Sequence, residues 1–499
     1  MNKSCQFNLE MLYSKKRKRF QKKSGGLILK KWLKFGLSII FIGGFFLVSK
    51  PYLFSNKTTI QQVYPRSKES FIGDPMPYFN GEEFMIYYLE DLRDNQIGFH
   101  PISLMTTNDF INYTDYGEVI PFVNDSNDQE LALGTGSVII DSDGLYHAFY
   151  TGHNGSLSPK EAIMHATSKD GIKWNKQPEH TFFAGTQYEA DDFRDPFVFY
   201  EENSQEYWML ITARQNGTGV IARYTSKDLI TWEDQGVFFE NDFGNDSNLE
   251  CPSLVFFEGK WYLAFSDQWD QRVVHYRIAD SVTGPFVKPA NLDHWDSSGF
   301  YAGRLETNGE KLYVVGWIPT KEQHRDNQNY NWAGNLAVHE LIAKDGHLLP
   351  TLPEGVKEQV NTIAFTDQII SEGQSIAFNG NEETVLYHGN IVLDEQTKKW
   401  AFQFNSKENQ SNLNVIFDTE LNTVAFYNRP LDRMANYDPQ TEMPFDFSNR
   451  STVNIKLVLE NDIVVLYLDD EIVLSNRMYQ AKGSVWSITA IEGHLKIES

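Results

Sequence analysis

From residue 70 onward the chain alternates short apolar runs with polar turn clusters, and no helical period is sustained between 70 and 350. "GLYHAFYTG" (144–152), "EYWMLITAR" (206–214) and "KWYLAFSD" (260–267) are of strand length and bounded by Gly, Asn and Asp. Between such runs a short segment recurs. "HATSKDGIKW" (165–174) and "RYTSKDLITW" (223–232) are near copies whose TSKD portions start 58 residues apart. "LMTTNDFINY" (104–113) keeps the same order of small-polar, Asp, apolar and aromatic positions. "RIADSVTGPF" (277–286) and "HELIAKDGHL" (339–348) are looser copies. A unit of about 50–60 residues with four short strands, repeated five times, predicts an all-β, five-bladed propeller over 70–353. Beyond the Pro-punctuated "LLPTLPEGV" (348–356) the strands lengthen and lose that signature, which predicts a C-terminal β-sandwich over 360–499.

Charge divides the chain further. Residues 1–34 hold eleven Lys and Arg against Glu10 alone, a surplus of ten within a net charge of −23. The rest is therefore a polyanion, which excludes nucleic acid as a partner. "FGLSIIFIGGFFLVS" (35–49) carries no charge. It is short for a bilayer span of about 20 residues, but flanking lysines and "PYLF" (51–54) extend it. The basic block predicts a cytoplasmic tail (1–34), a transmembrane signal anchor (35–54), a linker (55–69) and a body outside the cell, bound to the membrane through that anchor. Cleavage of the signal, giving a secreted protein, is the alternative. Cys5 and Cys251, the two cysteines, would lie on opposite sides of the membrane and form no disulfide.

The repeat also places the acidic residues. Asp74, Asp195 and Glu250 precede the first, third and fourth copies by 32, 30 and 29 residues, nearly one phase of three blades. In a propeller that phase is the innermost strand, so the three carboxylates are expected to converge at the axial channel. Pro75, Pro196 and Pro252 beside them are expected to mark strand ends that open to a cavity. "LGTGSV" (133–138) and "SSGFYAGR" (297–304) fall at the matching phase of the other blades, where glycine would let a ligand approach the backbone. Converging carboxylates suit acid/base work on a glycosidic bond, one protonated and another ionised. No cofactor or metal is expected there, because neither an Asp-x-Asp loop nor a His pair accompanies them.

"FRDP" (193–196), "ECP" (250–252), "GFYA" (299–302) and "NWAGNL" (331–336) resemble, in order and spacing, the signature of glycoside hydrolase family 32, the β-fructofuranosidases. The resemblance covers about 70–499. It implies that Asp74 is the nucleophile, Glu250 the general acid/base and Asp195 the transition-state stabiliser, with Arg194 beside it. Two departures alter the sugar pocket: Gly73 stands where the family has Asn, and Leu89 where it has Gln, with Glu90, Asp91 or His100 to refill the space.

Gly73, Ser137, Trp269, Tyr301 and Arg304 join Arg194 as candidate substrate-binding residues, and Trp295, Trp317, Tyr330 and Trp332 as candidate stacking surfaces. His153, His165 and His294 read as structural or exposed, and Cys251 as a small hydrophobe beside the acid. The expected protein is a monomer acting on an oligo- or polysaccharide. Three functional readings stand: a retaining furanosidase on fructosides; a transferase or arabinan-type furanosidase; and a non-catalytic carbohydrate-binding protein of the cell surface.

Overall fold

The computed structural model describes residues 57–68, 70–92, 100–269, 271–380, 383–405 and 411–499. Among them the fold is all-β, with one short α-helix, Glu354–Gln359, at the junction of its two parts. The tail and anchor expected over 1–54 lie outside the described residues. No helix of the described residues is long and apolar enough to cross a membrane.

Five antiparallel units follow one another. Their innermost strands are Phe71–Phe79, Ala132–Ile140, Arg194–Glu201, Leu249–Phe257 and Tyr301–Thr307. Each of these packs on the next and the fifth returns to the first, closing a five-bladed propeller. Gly334 of blade V pairs with Ile72 of blade I across the closure.

The repeated segment forms the turn between third and fourth strands. In blade II, Asp170 Oδ1 accepts the N–H groups of Ile172 and Lys173, and Ser168 Oγ accepts that of Gly171. Blade III repeats this with Asp228 and Ser226, and blade I with Asp109 and Thr107. The small-polar and Asp positions recur because their side chains satisfy turn amides that no strand reaches. Blade V departs: Asp345 and Gly346, both at positive φ, make a tight hairpin turn between Tyr330–Lys344 and His347–Thr351. Blade IV ends in an irregular segment held by isolated bridges, Ile278 to Val287 and His275 to His294.

The C-terminal part is a sandwich of a seven-stranded and a six-stranded sheet. Its pairings are antiparallel apart from Asn361–Ala364 against Val385–His388. It packs on blade V. The buried Arg477 donates to the carbonyls of Ile318 and Pro319 and to Asn335 Oδ1, and His339 Nδ1 lies 2.8 Å from the Tyr467 hydroxyl. The expected linker is a working part of this body. Thr58–Gln61 adds a strand to blade I against Asn112–Asp115, and Glu460 accepts the Val63 and Tyr64 amides.

Candidate active site

All five inner strands carry a register shift at one level: Gly73/Met76, Gly134/Gly136, Arg194/Phe197, Glu250/Ser253 and Tyr301/Arg304. Asp74, Asp195, Cys251 and Ala302 sit in these bulges at φ of 37°, 59°, 53° and 52°. Positive φ on non-glycine residues is strained, and in blades I, III and IV the strained residue (Asp74, Asp195 and Cys251) lines the axial cavity. The prolines therefore mark bulges inside the strands, not strand ends. Pro75, Pro196 and Pro252 follow the strained residue, where a missing N–H costs no ladder bond. The phase differs by one residue in blade IV, where Cys251 fills the bulge and Glu250 takes the position that Arg194 holds in blade III.

The result is a cavity of about 280 Å³ lined by Asp74, Gly134, Thr135, Arg194, Asp195, Glu250, Cys251, Gln268, Arg272, Tyr301 and Trp332. Both carboxylate oxygens of Asp74 are held: Trp317 Nε1 donates to Oδ1 (3.0 Å) and Trp332 Nε1 to Oδ2 (3.1 Å). Burial, reinforced by the Glu250 charge and opposed by the two indole N–H groups, raises Asp74 to about 6. Glu250 Oε1 accepts from Arg194 Nη2 (2.8 Å), and Oε2 accepts from the Tyr301 hydroxyl (2.7 Å). Asp195 Oδ2 accepts the Cys251 backbone N–H (3.0 Å) and the Thr212 hydroxyl (3.3 Å). Burial pushes Asp195 up, Arg194 opposes this and the Glu250 charge adds to it.

Arg194 is enclosed by carboxylates. It contacts Glu250, Asp192 (2.5 Å) and Glu161 (3.4 Å), so its charge is spent within the protein. Arg272 differs. Its guanidinium lies 4.6 Å from the Tyr301 ring centroid and 5.6 Å from that of Trp317, with no ion-pair partner among the described residues.

Several expected substrate-binding residues have other tasks. Ser137 Oγ accepts the Val198 N–H (2.8 Å), bracing blade II to blade III, and Ser253 does the same for Leu305 between blades IV and V. Arg304 is 1% exposed, donates to the carbonyls of Pro252 and Asp195 and is not among the residues that line the cavity, so it braces the backbone that carries Asp195. Trp269, 40% exposed, lies outside the cavity lining, bonded to Asp246 and faced by Arg214. Gly73 is not among the residues lining this cavity, and a Cβ there would meet the Trp332 ring at 2.2 Å. At Gly136 a Cβ would meet the Phe149 carbonyl at 1.8 Å, so that glycine serves strand contact, not ligand approach.

Of the stacking candidates, Trp317 and Trp332 donate to Asp74, and Trp332 also lines the cavity. Trp295 is core, stacked on Tyr276, and Tyr330 reaches Asn476. Among the residues expected to refill the space around Leu89, His100 has its ring 4.5 Å from that of Trp332, which lines the cavity, while Glu90 accepts from Ser103.

The sequence reading missed Gln268, Arg272 and Thr135. The first two flank Trp269 in "DQWDQR", where the aromatic drew attention first. Gln268 Oε1 bridges Arg194 and Asn248, and the Thr135 hydroxyl donates to the Asp74 carbonyl.

Residues 66–350 match the model of the glycosyl hydrolases family 32 N-terminal domain. The chain belongs to glycoside hydrolase family 32. A sucrose-6-phosphate hydrolase of Vibrio alginolyticus is 25% identical over 62% of this chain and 66% of its own length. One from Pediococcus pentosaceus is 26% identical over 56% and 58%. The match thus spans about three-fifths to two-thirds of these relatives. A levanbiose-producing levanase of Bacillus subtilis is 22% identical over 81% of this chain and 82% of its own. Among solved structures, a β-fructofuranosidase of Bombyx mori superposes with a TM-score of 0.69 at 20% identity, covering 88% of this chain and 93% of its own.

Proposed function

We propose that the protein is a retaining glycoside hydrolase that cleaves β-fructofuranosidic bonds through a covalent fructosyl-enzyme. The convergence of Asp74, Asp195 and Glu250 in one cavity, each with a different set of partners, carries this reading. Asp74 attacks the anomeric carbon, since its oxygens are oriented by two indole N–H groups and it is ionised above about pH 6. Glu250, between Arg194 and Tyr301, gives a proton to the leaving oxygen and takes one from the water that releases the sugar. Asp195 accepts from the sugar hydroxyls as charge develops at the ring. The substrates for which the relatives are named, sucrose 6-phosphate and levan, both fit this chemistry.

Gly73 favours a second reading of the sugar alone. Trp332 fills the space above it, which reshapes the pocket next to the nucleophile and allows a furanose other than fructose. Incubation with sucrose, levan, inulin and aryl furanosides of fructose and arabinose decides between them. Release of fructose, lost in Glu250→Gln, supports the first reading, and release of arabinose alone replaces fructose by arabinose. No hydrolysis of any of them overturns both. The basic stretch and the uncharged segment after it favour a body outside the cell. Protease added to intact cells should then remove the catalytic part, and full protection would place it inside.

A further inference from the structure

His275, Asp293 and His294 cluster outside the catalytic cavity, in the irregular outer part of blade IV. His275 and His294 face each other across an antiparallel bridge, so their side chains leave the same face. Asp293 Oδ1 lies 3.2 Å from His275 Nδ1 and 3.2 Å from His294 Nδ1. Ligand atoms on a tetrahedral zinc ion, with bonds of about 2.0–2.1 Å, are separated by about 3.3–3.4 Å. The two separations from Asp293 are already close to that, and one ligand atom from each of the three residues falls within 4.8 Å of the others.

The histidine supplies a second observation. His275 is 5% exposed, and its Nδ1 makes no hydrogen bond although a carboxylate oxygen is 3.2 Å away. The surroundings match the outer shell of a metal site. Asp293 Oδ2 accepts from Arg277 Nη1 (2.7 Å), which leaves Oδ1 turned to the two histidines and paired with His294 Nδ1 (3.2 Å), and Asp267 Oδ1 stands 3.6 Å behind His275 Nε2. Two cations are near, Arg277 and Lys288, the latter 3.7 Å from Asp293. Arg277 is also bound to both oxygens of Asp242. Three carboxylates (Asp242, Asp267 and Asp293) thus outnumber the cations. His294 borders a cleft of about 790 Å³ between the propeller and the sandwich, which gives an ion its entry and a water its place.

We propose that His275, Asp293 and His294 bind one divalent ion of the zinc class, and that this ion stiffens the loop bearing Gln268 and Arg272. Two imidazoles with one carboxylate select zinc, nickel or copper over calcium and magnesium. The link to the loop is Asp267. Its carboxylate accepts the N–H groups of Gln271, Arg272 and Val273, and its carbonyl accepts the Tyr301 hydroxyl that also holds Glu250. An ion that fixes His275 fixes the partner of Asp267, and through it the loop that lines the cavity. The site is independent of the sugar assigned above.

The test uses the whole protein, stripped with chelator and dialysed against zinc, calcium or magnesium. About one zinc per chain is expected to remain, with His294→Ala and Asp293→Asn each retaining little. Amide exchange at 271–273 should slow by about tenfold with zinc in the unaltered protein. Cobalt in the unaltered protein should give the intense visible bands of a tetrahedral ion, which decides the matter even where a variant fails to fold. Zinc retained equally by the variants, absence of bound zinc, or an octahedral cobalt spectrum overturns the site. Zinc bound without slower exchange at 271–273 overturns its role in the loop.

Discussion

Asp74 is held by two tryptophans, and its behaviour follows from that grip. Its ordinary value of 3.8 rises to about 6 because burial and Glu250 outweigh the indole N–H groups. A nucleophile must be ionised, so kcat/KM should fall about tenfold per pH unit below pH 6. Trp332→Phe removes one stabilising N–H from the charged form. The acid limb should therefore move upward, above pH 6, in a pH–rate profile, and an unmoved limb would mean that Trp332 does not tune the carboxylate. Glu250→Gln keeps the shape but loses the exchangeable proton, and should lower kcat by roughly 10²–10⁴-fold on substrates with poor leaving groups.

Gly73 belongs to the same grip, because any Cβ there strikes the Trp332 ring. Gly73→Asn should destabilise the protein by about 1–3 kcal/mol in denaturant unfolding, as overpacking does. Most of that loss should vanish in a Trp332→Ala background, and equal losses in both backgrounds would show that the two residues are not coupled. The exchange of Asn for Gly was legible in the sequence. What replaced it was not, since Trp332 lies 259 positions away and reaches Gly73 only through closure of blade V on blade I.

At the scale of the strand, the unit that builds the site is the bulge. The sequence showed which residues recur beside proline, and the spacing located three carboxylates on inner strands. It did not show that each inner strand is locally broken. A bulge adds one residue to a pairing pattern, and period-two alternation cannot register that without a partner strand to count against. Hence spacing puts Glu250 near the phase of Asp195, one residue from its place, and does not distinguish a ligand contact from Ser137 and Arg304, whose side chains brace neighbouring strands outside the cavity lining. Ser253→Ala would leave the Leu305 N–H buried without an acceptor, at a cost of about 1–3 kcal/mol. Denaturant unfolding measures that cost, and an unchanged midpoint would show that the brace is dispensable. The turns were the most legible elements, because their Asp, Ser and Thr side chains satisfy amides locally and depend on no distant residue. Where the repeat weakened, in blades IV and V, the structure departs from it as well.

Across the whole molecule, the propeller and sandwich share a polar seam as well as a core. Lys321 is 1% exposed in that seam, donates to Gln440 and lies over the rings of Tyr330 and Phe426. Burial lowers it from 10.5 to about 7, with Asp326 opposing. The folded protein therefore binds fewer protons than the unfolded chain between about pH 7 and 10.5, and this group adds stability as pH rises through that window. Replacing it, as in Lys321→Met, should flatten the rise of unfolding free energy between pH 7 and 9. A variant with the slope of the parent would assign the dependence to other groups. Division into two parts was legible from strand length and the change of texture after residue 353. That Thr58–Tyr64 belongs to both parts was not, since its partners, Asn112–Asp115 and Glu460, are remote in sequence.

The central claim is that Asp74 and Glu250 divide the work of a double displacement at a furanose carbon. The anomeric configuration of the first sugar released tests it most directly, followed by NMR from the moment of mixing with a β-fructofuranoside. Two inversions at one carbon predict that β-fructofuranose appears first and only later equilibrates. The α-anomer appearing first would contradict the account, because water would then have attacked directly and Asp74 would not be the nucleophile.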